Sequence, residues 1–417
     1  LTHDGNQFSF LRNGSLNLVN LRNNQFPVTT VGFRADWTRD VLAERMAAFD
    51  QFWRIYNLTF YDSNFHGRNW AEIRERYRPL LSSVGHRNEM ATVLNMMVGE
   101  LEASHAEVGS APGNPRSQST AHLGFEFDYS HSGIGVKIGK VPARSPGSFA
   151  RTRLNSGEFI VAINGQDVRL DQNLFRLLND QAGREVTLLV NSTPSKIGAR
   201  TVKYRALDFG AWVDLNYRNQ ISARRAFVDQ RSGGRLAYLH IAGMGGGNLR
   251  DFNLEAWEEI QGKEGAIIDV RENGGGNIAD TLLDILERSP QMRYLPRDRR
   301  ETMGPGTSWG KPTIVMHAES SLSNAEMFPA AMKARGLATL VGMPTPGYVI
   351  YTYGGSLVDG TSIRQPSTGV FRLDGTPTEN LGQQPDIRVD WPYEDWLAGK
   401  DPQLERAVQE GLRKLGR

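Results

Sequence analysis

Cysteine is absent from the 417 residues. Disulfide frameworks, thiolate metal sites and cysteine nucleophiles are thereby excluded. Long apolar runs are missing as well: none approaches the roughly 20 residues needed to cross a bilayer. Acidic and basic residues nearly balance, 46 against 48, with no long basic block. The electrostatic footprint of a nucleic-acid or anionic-membrane partner is therefore not there. The chain opens on Leu1, not Met, and shows no signal or transit pattern. What is present is a globular composition, 39% hydrophobic and 23% charged. Such a length exceeds one ordinary core, so two or three domains are expected.

The first residues, "LTHDGNQFSFLRNGSLNLVNL", place two alternating runs around Asn13-Gly14, a hairpin signal. A lone hairpin is marginal in water, so residues 1–35 read as the end of a larger β domain upstream. Between residues 36 and 115 the pattern is helical. "DVLAERMAAFDQFWRIYNLTFY" and "NEMATVLNMMVGELEAS" carry apolar residues at i, i+3, i+4 and i+7. "GSAPGNPRSQST" is a linker in composition. Residues 116–207 read as a small β domain. In it, "GEFIVAINGQDV" is a strand meeting an Asn-Gly turn, "DQNLFRLLNDQ" an amphipathic helix and "REVTLLV" a strand. From 208 to 417 strands alternate with helices. "RLAYLHI", "GAIIDV", "PTIVMHA" and "LATLVG" are short and apolar, and "LRDFNLEAWEEIQ", "IADTLLDILERS" and "SNAEMFPAAMKARG" are helical. That alternation predicts a mainly parallel sheet covered by helices. Its chemistry should lie beyond the carboxyl ends of the strands.

Two loops there draw attention. "IDVRENGGGNIAD" runs from a strand through Gly274, Gly275 and Gly276 into a helix, and consecutive glycines can present backbone N–H groups. Without a following Gly-Lys-Ser/Thr the loop is no nucleotide cradle. In "HAESSLSNAEMF", Ser323 and Glu326 fit a capping box, with the serine oxygen accepting from the third helical N–H. Strand, tight loop, serine, helix is also the setting of a serine nucleophile, where the helix N-terminus favours developing negative charge. Gly306-Thr307-Ser308-Trp309-Gly310 matches G-x-S-x-G. It precedes a strand instead of following one, so it reads as a loop.

A nucleophile needs a base. No lysine falls between Lys333 and Lys400, so that stretch cannot supply one. Among the histidines, His240 lies inside a strand and His317 at a strand end. His105 closes the helical segment "GELEASHAEVG". Residue type alone does not choose between them.

Five segments supply a resemblance: "MMVGELEASHAE", "YLHIAGMGGGNLRDF", "IIDVRENGGGN", "SNAEMFPAAMKARGLATLVG" and "TENLGQQPDI". In order and spacing, from about residue 40 to the end, the chain resembles the tricorn core proteases, relatives of the carboxyl-terminal processing proteases. The resemblance implies a multidomain α/β protein with a helical cap, a PDZ-like β domain and a crotonase-like α/β core. "HLGFEF" with the Ile-Asn-Gly turn suits the PDZ-like part. It also implies peptide substrates, a homo-oligomer and no cofactor or metal. Carried over, Ser323 is the nucleophile and His105 its base. Ser104 and Glu379 complete a tetrad in which the carboxylate acts through the hydroxyl. Backbone N–H groups of Gly274 or Gly275 and of Asn324 form the oxyanion hole. The chain departs from the tricorn pattern in Asn324-Ala325 and in "TPGYV". An acidic residue that would favour a basic P1 side chain is also missing, with Leu295 in its place. Two other readings fit parts of the sequence: a peptide-binding scaffold without activity, and an acyl-CoA enzyme of the crotonase type.

Overall fold

The computed structural model describes all residues except 33, 35, 37, 110–117, 298–300 and 417. Most of the linker stretch falls on 110–117, outside the described residues.

The site rests on a parallel five-stranded sheet. Its strands run in the order Leu236–His240, Gly265–Asp269, Thr313–His317, Ala338–Gly342 and Ile387–Arg388. Both faces are buried, which is why these strands read as continuous apolar runs. Alternation sends Ala237, Leu239, Ala266, Ile268, Val315 and Leu340 to one face. The helices Gly246–Glu259, Ala279–Leu286 and Asn324–Ala334 pack there. Leu236, Tyr238, Ile267, Ile314, Met316 and Val341 face the opposite way, against the helices Phe209–Ser232 and Pro402–Lys414. The 24-residue helix Phe209–Ser232 had no clear signature in the sequence. Its buried stripe, Ile221, Arg224, Val228 and Ser232, is half polar, and such a stripe carries little apolar periodicity.

Residues 121–206 hold a separate antiparallel sheet with its own core, Phe125, Ile138, Ile160, Val186 and Leu188 among them. Asn164 and Gly165 both adopt positive φ, 50° and 80°, as a two-residue hairpin turn of the primed type requires. Asn13 and Gly14 do the same at φ 52° and 78°, joining Gln7–Arg12 to Ser15–Asn20. The helix expected over 171–181 is a correction: only a 3-10 turn, Leu174–Leu178, forms. Asn173 folds its side chain onto the Phe175 N–H at 3.1 Å, and Asp180 at φ 58° turns the chain away. Local side-chain bonds of this kind compete with helix growth.

The helices Val41–Thr59, Trp70–Tyr77 and Arg87–Gly99 enclose an aromatic core built on Phe49, Phe52, Tyr56 and Trp70. Beyond the last helix, strand Val108–Gly109 pairs with Ser362–Gly369, which pairs with Ile350–Ser356. That pairing carries residues 104–105 to the carboxyl end of the parallel sheet.

Candidate active site

Three loops at the carboxyl ends of adjacent parallel strands meet here: 270–277, 318–323 and 343–349. The first is anchored from below. The Arg271 guanidinium, 2% exposed, donates to Asp269 at 2.7 Å, to Asp401 at 2.9 Å and to Gln403 at 2.9 Å. Buried Asn273 ties the loop sideways, its Nδ2 donating to Ile241 O at 2.7 Å. Its carbonyl accepts from Leu322 N–H at 2.9 Å, so the glycine loop and the residue before Ser323 are held together. Asn273 was not singled out from the sequence, although it stands directly before the three glycines.

Gly275 presses on Ser323. A Cβ at this position, where φ is +91°, would lie 2.7 Å from Ser323 Cβ and 2.7 Å from Leu322 O. Only glycine satisfies both the contact and the backbone angle. The Gly275 N–H donates to Asn273 Oδ1 at 2.9 Å. The Gly274 and Asn324 N–H groups have no hydrogen-bond partner among the described residues. The Asn324 side chain accepts from Ala279 N–H at 2.8 Å, binding the start of one helix to the start of the next. Asparagine keeps the acceptor an aspartate would offer.

Ser323 sits at φ 57°, ψ −118°, a region costly for any residue with a Cβ and common at functional sites. The expected capping box is half formed. Glu326 Oε1 accepts from Ser323 N–H at 3.0 Å. The third helical N–H, however, goes to the Ser323 carbonyl at 2.8 Å, not to its hydroxyl. Ser323 Oγ makes no cap hydrogen bond to the helix and has no other hydrogen-bond partner among the described residues. Of the neighbouring serines, Ser321 is fully buried, donates to Val270 O at 2.8 Å and accepts from Ala318 N–H at 3.1 Å. Ser308 lies in a loop between Thr302–Gly304 and Thr313–His317.

The histidine group is buried. Glu379 accepts from Ser104 N–H at 2.6 Å through Oε1. Its Oε2 accepts from Ser104 Oγ at 2.9 Å and from Val349 N–H at 3.0 Å. Ser104 Oγ lies 2.9 Å from His105 Nδ1. Because the hydroxyl proton is given to the carboxylate, Oγ must accept from Nδ1–H, which leaves a lone pair on Nε2. Burial lowers the His105 pKa below its ordinary value, with Arg364 adding to the effect. The sequence-predicted residues thus form two groups, Glu379–Ser104–His105 and Ser323–Asn324–Gly275. No hydrogen bond joins them directly among the described residues. Loop 345–349 touches both: the Tyr348 N–H donates to Glu326 at 2.6 Å, and its ring centroid lies 5.8 Å from that of His105.

His317 and His240 lie apart from this arrangement. His240 pairs with Tyr217 Oη at 2.9 Å and Arg271 O at 3.1 Å. His317 is fully buried, and neither ring nitrogen has a partner among the described residues. Burial pushes its pKa down to about 4. The unfolded chain then takes up the proton first, near pH 6.5. Stability is full above that pH and falls as pH drops from 6.5 toward 4. By linkage the loss is about 2–3 kcal/mol at pH 4.5. His317→Leu should remove that difference between urea unfolding at pH 7.5 and pH 4.5. An unchanged pH dependence would show that His317 does not titrate on unfolding.

A gap of about 10 Å³ beside Ser323, room for no more than a water, is lined by Gly276, Asn324, Met327, Val349, Ile350, Tyr351 and Val370, without a charged side chain among the described residues. Leu295 is not part of it; it is 69% exposed after the strand Met292–Tyr294.

Residues 235–389 match the model of peptidase family S41, and residues 42–99 match the tricorn protease C1 domain. Residues 235–389 thus hold an S41 peptidase domain. The chain is 32% identical over 396 residues to tricorn protease homolog 1 of Streptomyces coelicolor, covering 92% of this chain and 36% of that protein. With the tricorn protease of Thermoplasma acidophilum it shares 28% identity, over 89% of this chain and 35% of that one. A carboxyl-terminal-processing protease of Synechocystis is 25% identical, over 82% and 80% of the two chains. The crystal structure of the tricorn protease superposes with a TM-score of 0.84 at 24% identity, covering all of this chain and 41% of that one. The chain shares the fold of that structure and spans about a third of the length of these tricorn relatives.

Proposed function

We propose that the chain is a serine peptidase that cleaves short peptides or unfolded segments through an acyl-enzyme. The observation that carries this is the buried run of hydrogen bonds from Glu379 through Ser104 to His105. It leaves the imidazole with its free lone pair on Nε2, the form a general base needs. In the proposed reaction Ser323 Oγ attacks the peptide carbonyl carbon while His105 Nε2 takes the hydroxyl proton. The N–H groups of Asn324 and Gly274 receive the oxyanion. The imidazolium, stabilised by Glu379 through Ser104, then gives its proton to the leaving amine. Water, deprotonated by His105, hydrolyses the ester in turn. In the free chain no hydrogen bond joins His105 to Ser323 among the described residues; catalytic hydrogen bonds often tighten only with substrate bound.

The side chains beside Ser323 carry no charge, so a basic P1 side chain would meet no acidic partner among them. Residues 116–207, read as PDZ-like, would pair with an extended peptide at a sheet edge. A homo-oligomer is proposed from the tricorn resemblance.

A fluorophosphonate followed by peptide mass mapping tests the reading. Label on Ser323 alone supports it, and label on Ser308 or Ser321 with Ser323 untouched overturns it. The tetrad has its own test. Glu379→Gln should lower kcat about 10- to 1000-fold, less than loss of the nucleophile. Ser104→Ala combined with Glu379→Gln should be little worse than the poorer single variant, since both support one ring nitrogen. Fully multiplicative losses would leave only a Ser323–His105 pair.

A further inference from the structure

We infer that Glu326 is a positioning residue of this site, a role that rests on the peptidase reading. By sequence it is half of a helix cap. In the fold its carboxylate, 2% exposed, has both oxygens fully used. Oε1 accepts from Ser323 N–H at 3.0 Å and Tyr348 N–H at 2.6 Å. Oε2 accepts from Gly347 N–H at 2.7 Å and the Thr345 hydroxyl at 2.5 Å. A cap needs only the first of these bonds. The other three reach a loop from the next parallel strand.

That loop leads to the histidine. The N–H after Tyr348 belongs to Val349 and goes to Glu379 at 3.0 Å, the carboxylate that holds Ser104. Successive amides of one loop therefore divide between two buried carboxylates, one on the nucleophile side and one on the base side. Glu326 also grips the amide of a residue with strained backbone angles, φ 57° and ψ −118°. A strained conformation persists only where its surroundings over-determine it. Glu326 thus sets the direction of Ser323 Oγ and the distance between Ser323 and the Glu379–Ser104–His105 group.

Only an acceptor works at all four contacts. Glutamine has the same shape but turns an NH₂ toward two N–H or O–H donors, whichever way it is placed. The test compares wild type, Glu326→Gln and Glu326→Asp in the full chain, with Met332→Ala as a control for stability alone. Met332 is buried on the same helix and belongs to the hydrophobic core. The readouts are kcat and KM on a fluorogenic peptide, the rate of fluorophosphonate labelling of Ser323, and thermal unfolding. Glu326→Gln should lower kcat and the labelling rate together by about 30- to 300-fold, the scale of a misplaced reactive group. KM should stay within about threefold, as expected when the lost interaction serves the transition state. Glu326→Asp, which keeps the acceptors but not the reach, should fall between the two. Met332→Ala should lose stability and keep its kcat. A wild-type kcat in Glu326→Gln overturns the role, as does a loss that Met332→Ala reproduces at equal destabilisation. Should Glu326→Gln not fold, a wild-type kcat in Glu326→Asp overturns it equally. If the wild type neither cleaves peptide nor labels at Ser323, the peptidase reading falls and this role with it.

Discussion

Alanine at Ser323 is expected to reduce peptide hydrolysis by about 10⁴- to 10⁶-fold, the range seen when a serine nucleophile is removed. The residual rate would come from the backbone N–H groups and from substrate binding. The same change should hardly affect stability. Ser323 Oγ makes no bond to its helix, whose third N–H is already paired with the Ser323 carbonyl at 2.8 Å. The Glu326 side of the cap is untouched by the substitution. Unfolding in urea should therefore shift by about 0.5 kcal/mol or less, as for a side chain without special contacts. Turnover of a fluorogenic peptide and urea unfolding measure the two halves. Wild-type turnover in Ser323→Ala would remove the nucleophile assignment.

His105→Ala should abolish both hydrolysis and fluorophosphonate labelling, since the attacking oxygen then has no base. Wild-type acylation should also depend on pH in a set direction. In the proposed reaction the neutral imidazole accepts the proton, so activity should be lost as pH falls and the base is protonated. Burial lowers the His105 pKa, so half-maximal acylation should lie below the ordinary value of about 6.5. Labelling rates between pH 4.5 and 8 measure this. A midpoint well above 6.5 would contradict the buried, neutral imidazole. Loss of labelling in His317→Leu but not in His105→Ala would move the base to His317, whose ring lies enclosed with no hydrogen-bond partner among the described residues.

Parts of the fold were plain in the residue order. The four longer strands of the parallel sheet are buried on both faces, so each appears as a short apolar run between helical segments. Asn13-Gly14 and Asn164-Gly165 specify their turns because few other residue pairs accept two positive φ angles. The strand–loop–serine–helix context of Ser323 is local as well. In contrast, the hairpin Ile350–Ser356 and Ser362–Gly369 and the helix Phe209–Ser232 left weak traces. Their faces are mixed, and their places depend on what packs against them.

The residue order by itself determined which groups were available: a serine at a helix start, a glycine run after a strand, no cysteine, and no lysine between 333 and 400. It also determined that Ser104 adjoins His105. Only the tertiary structure decided that Glu379, 275 positions away, accepts from the Ser104 hydroxyl, and that Glu326 is shared between a helix cap and loop 345–348. Such carboxylates look like ordinary acidic residues in a sequence. Their roles arise when chain closure removes them from water, for a buried carboxylate must then find donors wherever the packed chain presents them.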